Sequence, residues 1–194
     1  MACNFKSVLK GNNDCKENPA GLSNYCYIVP FENIESIEIK KKSGVEVNQY
    51  DITPKSVSSG TPVLLGYKIE FKNQTGQVTS EDNGAGKGWT GTGTGRVEIG
   101  EDEMAQMSRT LSNLDGNFLA FFPTGNKVNI GTDQAPVMAT EYKVIGNPEG
   151  DCQFSTAGDS GAARGDDHGT TFTVTCDYML YDVVKFFGEI SKQD

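Results

Sequence analysis

The sequence predicts a mainly β protein, a β-sandwich or small β-barrel with one flanking α-helix. Three observations lead there. Short β-branched and aromatic runs recur along the chain, separated by polar, glycine-containing connections. A single stretch carries apolar residues at helical spacing. Glycine accounts for 23 of the 194 residues, well above its usual share of about 7%. A chain of this length buries roughly 70% of its unfolded surface on folding, enough for one sizeable core.

Taken in order, residues 22–30 (LSNYCYIVP) and 34–39 (IESIEI) read as strands. Residues 63–71 (VLLGYKIEF) place Leu65, Tyr67, Ile69 and Phe71 on one face and Lys68 and Glu70 on the other, the pattern of a half-buried strand. From Lys72 to Gly95 the chain is polar and glycine-rich without helical periodicity, so 72–95 is expected as a long loop. Trp89, the only tryptophan, lies inside it and is unfavourable in water, which suggests that the loop orders against a partner. Thr90, Thr92 and Thr94 alternate with glycine and permit an extended return into a strand over Arg96–Ile99.

The helix is expected over 101–114. Met104, Met107, Leu111 and Leu114 form one stripe, Glu101, Asp102 and Glu103 complement the dipole in the first turn, and Gly116 follows the last turn. Such a stripe packs on a sheet. Phe118–Phe122 and Lys127–Ile130 read as a hairpin about a Pro123-Thr124-Gly125-Asn126 turn. Met138–Ile145 and Thr170–Cys176 complete the strands, with Phe172, Val174 and Cys176 alternating against Thr171, Thr173 and Thr175.

The net charge of −9 disfavours a general grip on nucleic acid. Lys40-Lys41-Lys42 is the one basic run and reads as a solvated loop. No window approaches the ~20 apolar residues of a membrane span, and the first residues lack the apolar core of a secretory signal. Cys3, Cys15, Cys26, Cys152 and Cys176 match no zinc spacing and read as free thiols, with a pair such as Cys3 and Cys15 as the alternative.

The chemical motifs are weak. Gly158-Asp159-Ser160-Gly161 has the look of a serine nucleophile loop, but the one imidazole, His168, lies only eight residues on, in the same turn-rich stretch. Arg164-Gly165-Asp166 is too short to carry an adhesion function. Asp159, Asp166 and Asp167 lack the closing glutamate of a calcium loop, and Gly84-Ala85-Gly86-Lys87 lacks the first glycine of a phosphate loop. Asn73-Gln74-Thr75 is a glycosylation sequon only in form. No catalytic, metal or cofactor-binding set is expected.

In whole-chain order the sequence resembles the tail-tube (major tail) proteins of bacteriophages and the inner-tube proteins of contractile injection systems. The stretch from about Pro62 to Val174 carries the resemblance: the Gly66–Phe71 strand, the 72–95 excursion, the Thr-Gly return and the 101–114 helix. It continues through Asn117–Phe122, Val128-Asn129-Ile130-Gly131, Ser160–Ala163, Asp166–Gly169 and Thr170–Val174. Residues 1–60 then form an N-terminal segment of strands and arm on the same domain, and residues 61–194 the tube-like β domain.

The resemblance implies a structural virion protein that self-assembles, commonly as hexamers, into rings stacked as a tail tube. DNA would pass through that tube without specific binding. It also implies contacts with other tail proteins, assembly in the host cytoplasm, and no enzyme activity, cofactor or membrane partner. The 72–95 loop, with Trp89, Thr90, Thr92 and Thr94, is expected as the inter-subunit contact, and the bore as net acidic. Other virion parts (a tail terminator, a decoration or head protein), a ligand- or carbohydrate-binding β-sandwich and an enzyme remain as alternatives.

Overall fold

The computed structural model describes residues 21–42, 45–55, 57–58, 61–97, 101–114, 116–132, 134–159 and 169–193. It is mainly β with one helix, as the sequence predicts. The strands are β1 (Tyr25–Pro30), β2 (Ile34–Lys42), β3 (Val45–Pro54), β4 (Val57–Ser58), β5 (Thr61–Pro62), β6 (Leu64–Glu70) and β7 (Gln77–Asp82). They continue as β8 (Trp89–Val97), β9 (Phe118–Asn129), β10 (Met138–Ile145), β11 (Cys152–Asp159), β12 (Gly169–Met179), β13 (Val184–Gly188) and β14 (Ile190–Lys192). The helix α1 spans Glu101–Ser112.

Eight strands form a large sheet in the order β14-β6-β1-β9-β10-β13-β3-β2, four form a small sheet in the order β11-β12-β8-β7, and β4 pairs with β5. Strands β1, β2 and β3 belong to the larger sheet, with β1 between β6 and β9.

Two apolar cores lie on opposite faces of the large sheet, and β9 shows why. Seven consecutive residues, Phe118 to Thr124, are buried because side chains alternate between faces and both faces are covered. Phe118, Ala120 and Phe122 join Cys26, Ile28, Ile69, Phe172 and Val174 between the two sheets. Leu119 and Phe121 join Tyr50, Ile52, Tyr142, Val144, Val184 and Phe186 on the other face. There the large sheet curls over its own second core. Phe121 meets Tyr142 and Phe186 edge-to-face, with centroids 6.1 and 5.4 Å away, a favoured aromatic geometry. Tyr50 Oη donates to the Gly146 carbonyl at 3.0 Å and so satisfies its polar end.

Helix α1 packs on the inter-sheet core through Leu111, which is buried, and through Met107 and Leu114. It ends two residues before the expected limit: Asn113 and Leu114 form a tighter turn, with the Leu114 amide donating to the Leu111 carbonyl. Gly116, at φ +75°, reverses the chain where a side chain would strike the Cys152 backbone. The side chain of Met104 lies outside the described residues.

Several expectations change. The 72–95 stretch is a β7–β8 hairpin, not a loop; its tight turn at Asn83–Gly88 is closed by the Asn83 amide donating to the Gly88 carbonyl. Alternating Thr and Gly has the period of a strand, and cross-strand pairing completes what composition concealed. The Phe118–Ile130 hairpin is also absent. Strand β9 continues through Pro123, with Pro123 opposite Tyr142 and Lys127 opposite Thr140, and bulges between them, Thr124, Gly125 and Asn126 standing against Glu141 alone. Proline is tolerated beside such an irregularity. Lys40 and Lys41 belong to an edge strand rather than a loop, and both are exposed. β6 is buried on both faces, since Leu64 enters the second core while Ile69 enters the first. β8 ends at Val97, and residues 98–100 lie outside the described set.

Candidate assembly surface

The small sheet has two unlike faces. On β8 the inward positions are glycines, and each lets a large side chain of the core approach: Gly91 faces Met179 and Ile145, Gly93 faces Phe122, and Gly95 faces Phe172 and Phe71. A Cβ on Gly93 would sit 2.4 Å from the Phe122 ring. The Gly-Thr alternation is therefore a packing device, with glycine inside to admit aromatic rings and threonine outside.

The outer face is a lattice of neutral polar side chains. One row across the four strands is Ser155, Thr173, Thr94 and Gln77; the next is Gln153, Thr175, Thr92 and Thr79. Charge is confined to the margins. Arg96 stands beside Thr171 in one outer row, and Glu81 beside Thr90 in the other. Thr90 donates to Asp177 at 2.8 Å.

Of the four residues expected to make the inter-subunit contact, Thr90, Thr92 and Thr94 lie on this face. Trp89 does not. It is half-buried at the start of β8, opposite Met179 and against the inter-sheet core, so part of its apolar surface is covered within the chain.

The edges of the sheets also differ. In the large sheet β2 carries Lys40 and Lys41 and two register shifts against β3, features that discourage strand addition. In the small sheet β11 keeps an unbroken eight-residue register with β12 and has no charged residue from Gln153 to Gly158. No strand lies on its outer side in the sheet order, where the Gly116 carbonyl takes the Cys152 amide and helix α1 packs against β11. The opposite edge, β7, ends in Glu81 and Asp82.

Beyond Gly125 the β9–β10 pair leaves the body as an arm. Val128, Ile130 and Val137 are 36%, 52% and 54% exposed, and register puts all three on one face, since Val128 is opposite Ala139 and the Ile130 amide donates to the Val137 carbonyl. Asn129 Oδ1 accepts from the amides of both Gly131 and Val137 at 3.0 Å, which holds the tip. Reading Pro123–Asn126 as a turn hid this arm; the isolated Val128 and Ile130 beyond it were the available signal.

At the base of the arm a cleft of about 500 Å³ is lined by Gln77, Val78, Asn126, Glu141, Lys143 and Lys185. Glu141 accepts from Lys185 Nζ at 2.8 Å and from Asn126 Nδ2 at 3.2 Å. Burial alone would raise its pKa, but these donors and the charges of Lys185 and Lys143 outweigh burial and hold it below the ordinary carboxylate range.

Ser160, His168, Arg164, Asp166 and Asp167 lie outside the described residues, as do Cys3 and Cys15. Cys26, Cys152 and Cys176 are free and buried. Gly84-Ala85-Gly86-Lys87 forms the β7–β8 turn, with Gly84 and Gly86 at positive φ. Among the described residues no cluster of His, Cys, Asp and Glu is placed to hold a metal, and no helix is long and apolar enough to cross a membrane. No family model, curated protein or solved structure matches the chain.

Proposed function

We propose that this chain is a self-assembling structural subunit whose copies join into rings, commonly hexameric, that stack as the tail tube of a bacteriophage and conduct DNA. The observation that carries this reading is the small sheet, which combines a neutral hydroxyl face with two unlike edges. Because β11-β12-β8-β7 alternate in direction, β7 of a second copy would continue the antiparallel order beside β11. Pairing of two different edges is head-to-tail, and a head-to-tail contact that closes makes a ring. The uncharged outer side of β11 suits such addition.

The hydroxyl face then lines the bore. A wall passing a polyanion must not hold it through counterion release. Among the described residues the face carries one cation, Arg96, against Glu81 and Asp177 at its rim, so its centre is neutral rather than acidic. The arm, with its apolar face of Val128, Ile130 and Val137, supplies contacts between stacked rings.

Sedimentation and negative-stain imaging of the purified chain test the reading. The Cys152 amide donates to Gly116, away from β12, so by strand alternation the Thr156 amide also points off the outer edge. Thr156→Pro removes that donor and should abolish rings while leaving a folded monomer. A chain that stays monomeric at high concentration, or a Thr156→Pro variant that assembles as well as the parent, overturns the proposal.

A further inference from the structure

Cys152 opens β11 and Cys176 lies directly across from it on β12. The Cys152 amide donates to the Gly116 carbonyl at 3.3 Å, and a Cβ placed on Gly116 would be 2.9 Å from the Cys152 carbonyl oxygen and 3.1 Å from its nitrogen. Both backbone polar groups of Cys152 therefore face Gly116 and not β12, which makes Cys152 and Cys176 a non-hydrogen-bonded cross-strand pair. In such pairs the Cα atoms are about 4.5 Å apart and the side chains close, within the ~4.4–6.8 Å Cα span of a disulfide. Cys26 provides the contrast: it is fully buried and faces Ile69, with no thiol opposite.

We propose that Cys152 and Cys176 are a modification site, a dithiol that exchanges with low-molecular-weight disulfides to close a covalent tie between β11 and β12. Cys152 borders a cleft of about 570 Å³, shared with Leu111, Gly116, Phe118, Asp177 and Tyr178, and is the sulfur that an entering disulfide meets first. Cys176, fully buried, sits behind it. Asn147 Nδ2 donates to Cys176 Sγ at 3.7 Å, and that thiol reaches the Gly150 carbonyl at 3.6 Å, which fixes the second sulfur in place.

The steps balance. The Cys152 thiolate attacks one sulfur of the donor disulfide, forming a mixed disulfide and releasing one donor thiolate. The Cys176 thiolate then attacks Cys152 Sγ, breaking the mixed bond and releasing the second. The two protein thiols are oxidised, the donor is reduced to two thiols, and two protons end on those products. Contact with Cys176 and burial both keep the Cys152 thiol protonated at neutral pH, so exchange in the folded protein is slow.

The test uses the full chain with Cys3→Ser and Cys15→Ser, exposed to oxidised glutathione in native buffer, quenched in acid, then alkylated in denaturant and mapped by mass. The expected result is loss of two hydrogens, a linked pair of peptides containing Cys152 and Cys176, and Cys26 alkylated throughout. The oxidised protein should unfold at higher denaturant and revert on reduction. Adding Cys176→Ser to the same chain should leave glutathione trapped on Cys152. The proposal is overturned if Cys152 and Cys176 stay as alkylatable as Cys26, if a stable glutathione adduct accumulates with both cysteines present, or if Cys26 is linked to either of them as often as they are linked to each other.

Discussion

The inner and outer faces of the four-stranded sheet are made by alternating residues of the same strands, yet they serve opposite demands. On the inner face Phe172, Val174 and Cys176 are fully buried, and β8 contributes glycine wherever an aromatic ring must approach. On the outer face the same strands present Thr92, Thr94, Thr173 and Thr175 in straight rows. The difference shows where sequence is constrained by volume and where by surface chemistry: inside, one methyl group is too many, while outside the requirement is for neutral side chains that keep the strand extended.

The largest effect belongs to the inner face. Phe122→Ala removes a ring that fills the notch above Gly93 and should destabilise the protein by about 3–5 kcal/mol in denaturant unfolding. A loss below about 1 kcal/mol would show that the two sheets are not held together here. Gly93→Ala probes the same contact from the other side. The ring it would strike is fully buried and has nowhere to swing, so overpacking should cost about 1–3 kcal/mol. Together the two substitutions should couple strongly, since the smaller side chain makes room for the added methyl.

Glu141 sits at the margin between body and arm, and its contribution depends on pH. Its folded pKa is depressed, so the stability it adds is present above the ordinary carboxylate range and is lost as pH falls through the lowered value. The stability gap between the parent and Glu141→Gln, measured by urea unfolding, should therefore narrow from neutral to acid pH. A gap that widens on acidification would contradict the ion-pair assignment. The outer face should respond least: Thr94→Val is expected to change stability by no more than about 0.5 kcal/mol. A larger loss would mean that the hydroxyl rows are structural in the single chain.

Much of this contrast was legible in the sequence, but unevenly. The Phe172–Cys176 alternation and the Met107–Leu114 stripe announce buried faces directly, because a large apolar side chain at a fixed period has one favourable place to go. The Thr90–Thr94 alternation announced extended backbone but not its partner. The inward positions there, Gly91, Gly93 and Gly95, are all glycine, so no hydrophobic period marks the strand, and β7 (QVTSED) has almost none either. Strands β3 and β11 escaped notice for related reasons. The apolar positions of β3 change phase between Val47 and Tyr50, and β11 contributes only Cys152 and Phe154 as strong core residues. Pro123-Thr124-Gly125-Asn126 has turn chemistry, yet pairing on both sides of it with β10 confines that chemistry to a bulge, with Gly125 at positive φ, and the strand continues. Long-range pairing overrode local preference at that point, and the arm was the element concealed.

The most direct test of the assembly account is a cross-link between the two edges of the small sheet. Thr79 on β7 and Ser155 on β11 are both exposed on the outer face, so Thr79→Cys and Ser155→Cys, placed in one chain lacking Cys3 and Cys15, can be joined by a short bifunctional thiol reagent. Head-to-tail rings predict a ladder of covalent oligomers that stops at the closed ring and disappears when either cysteine is reverted. Products that stop at a dimer, or a ladder that persists with Ser155→Cys alone, would contradict the pairing of β11 with β7 and with it the ring.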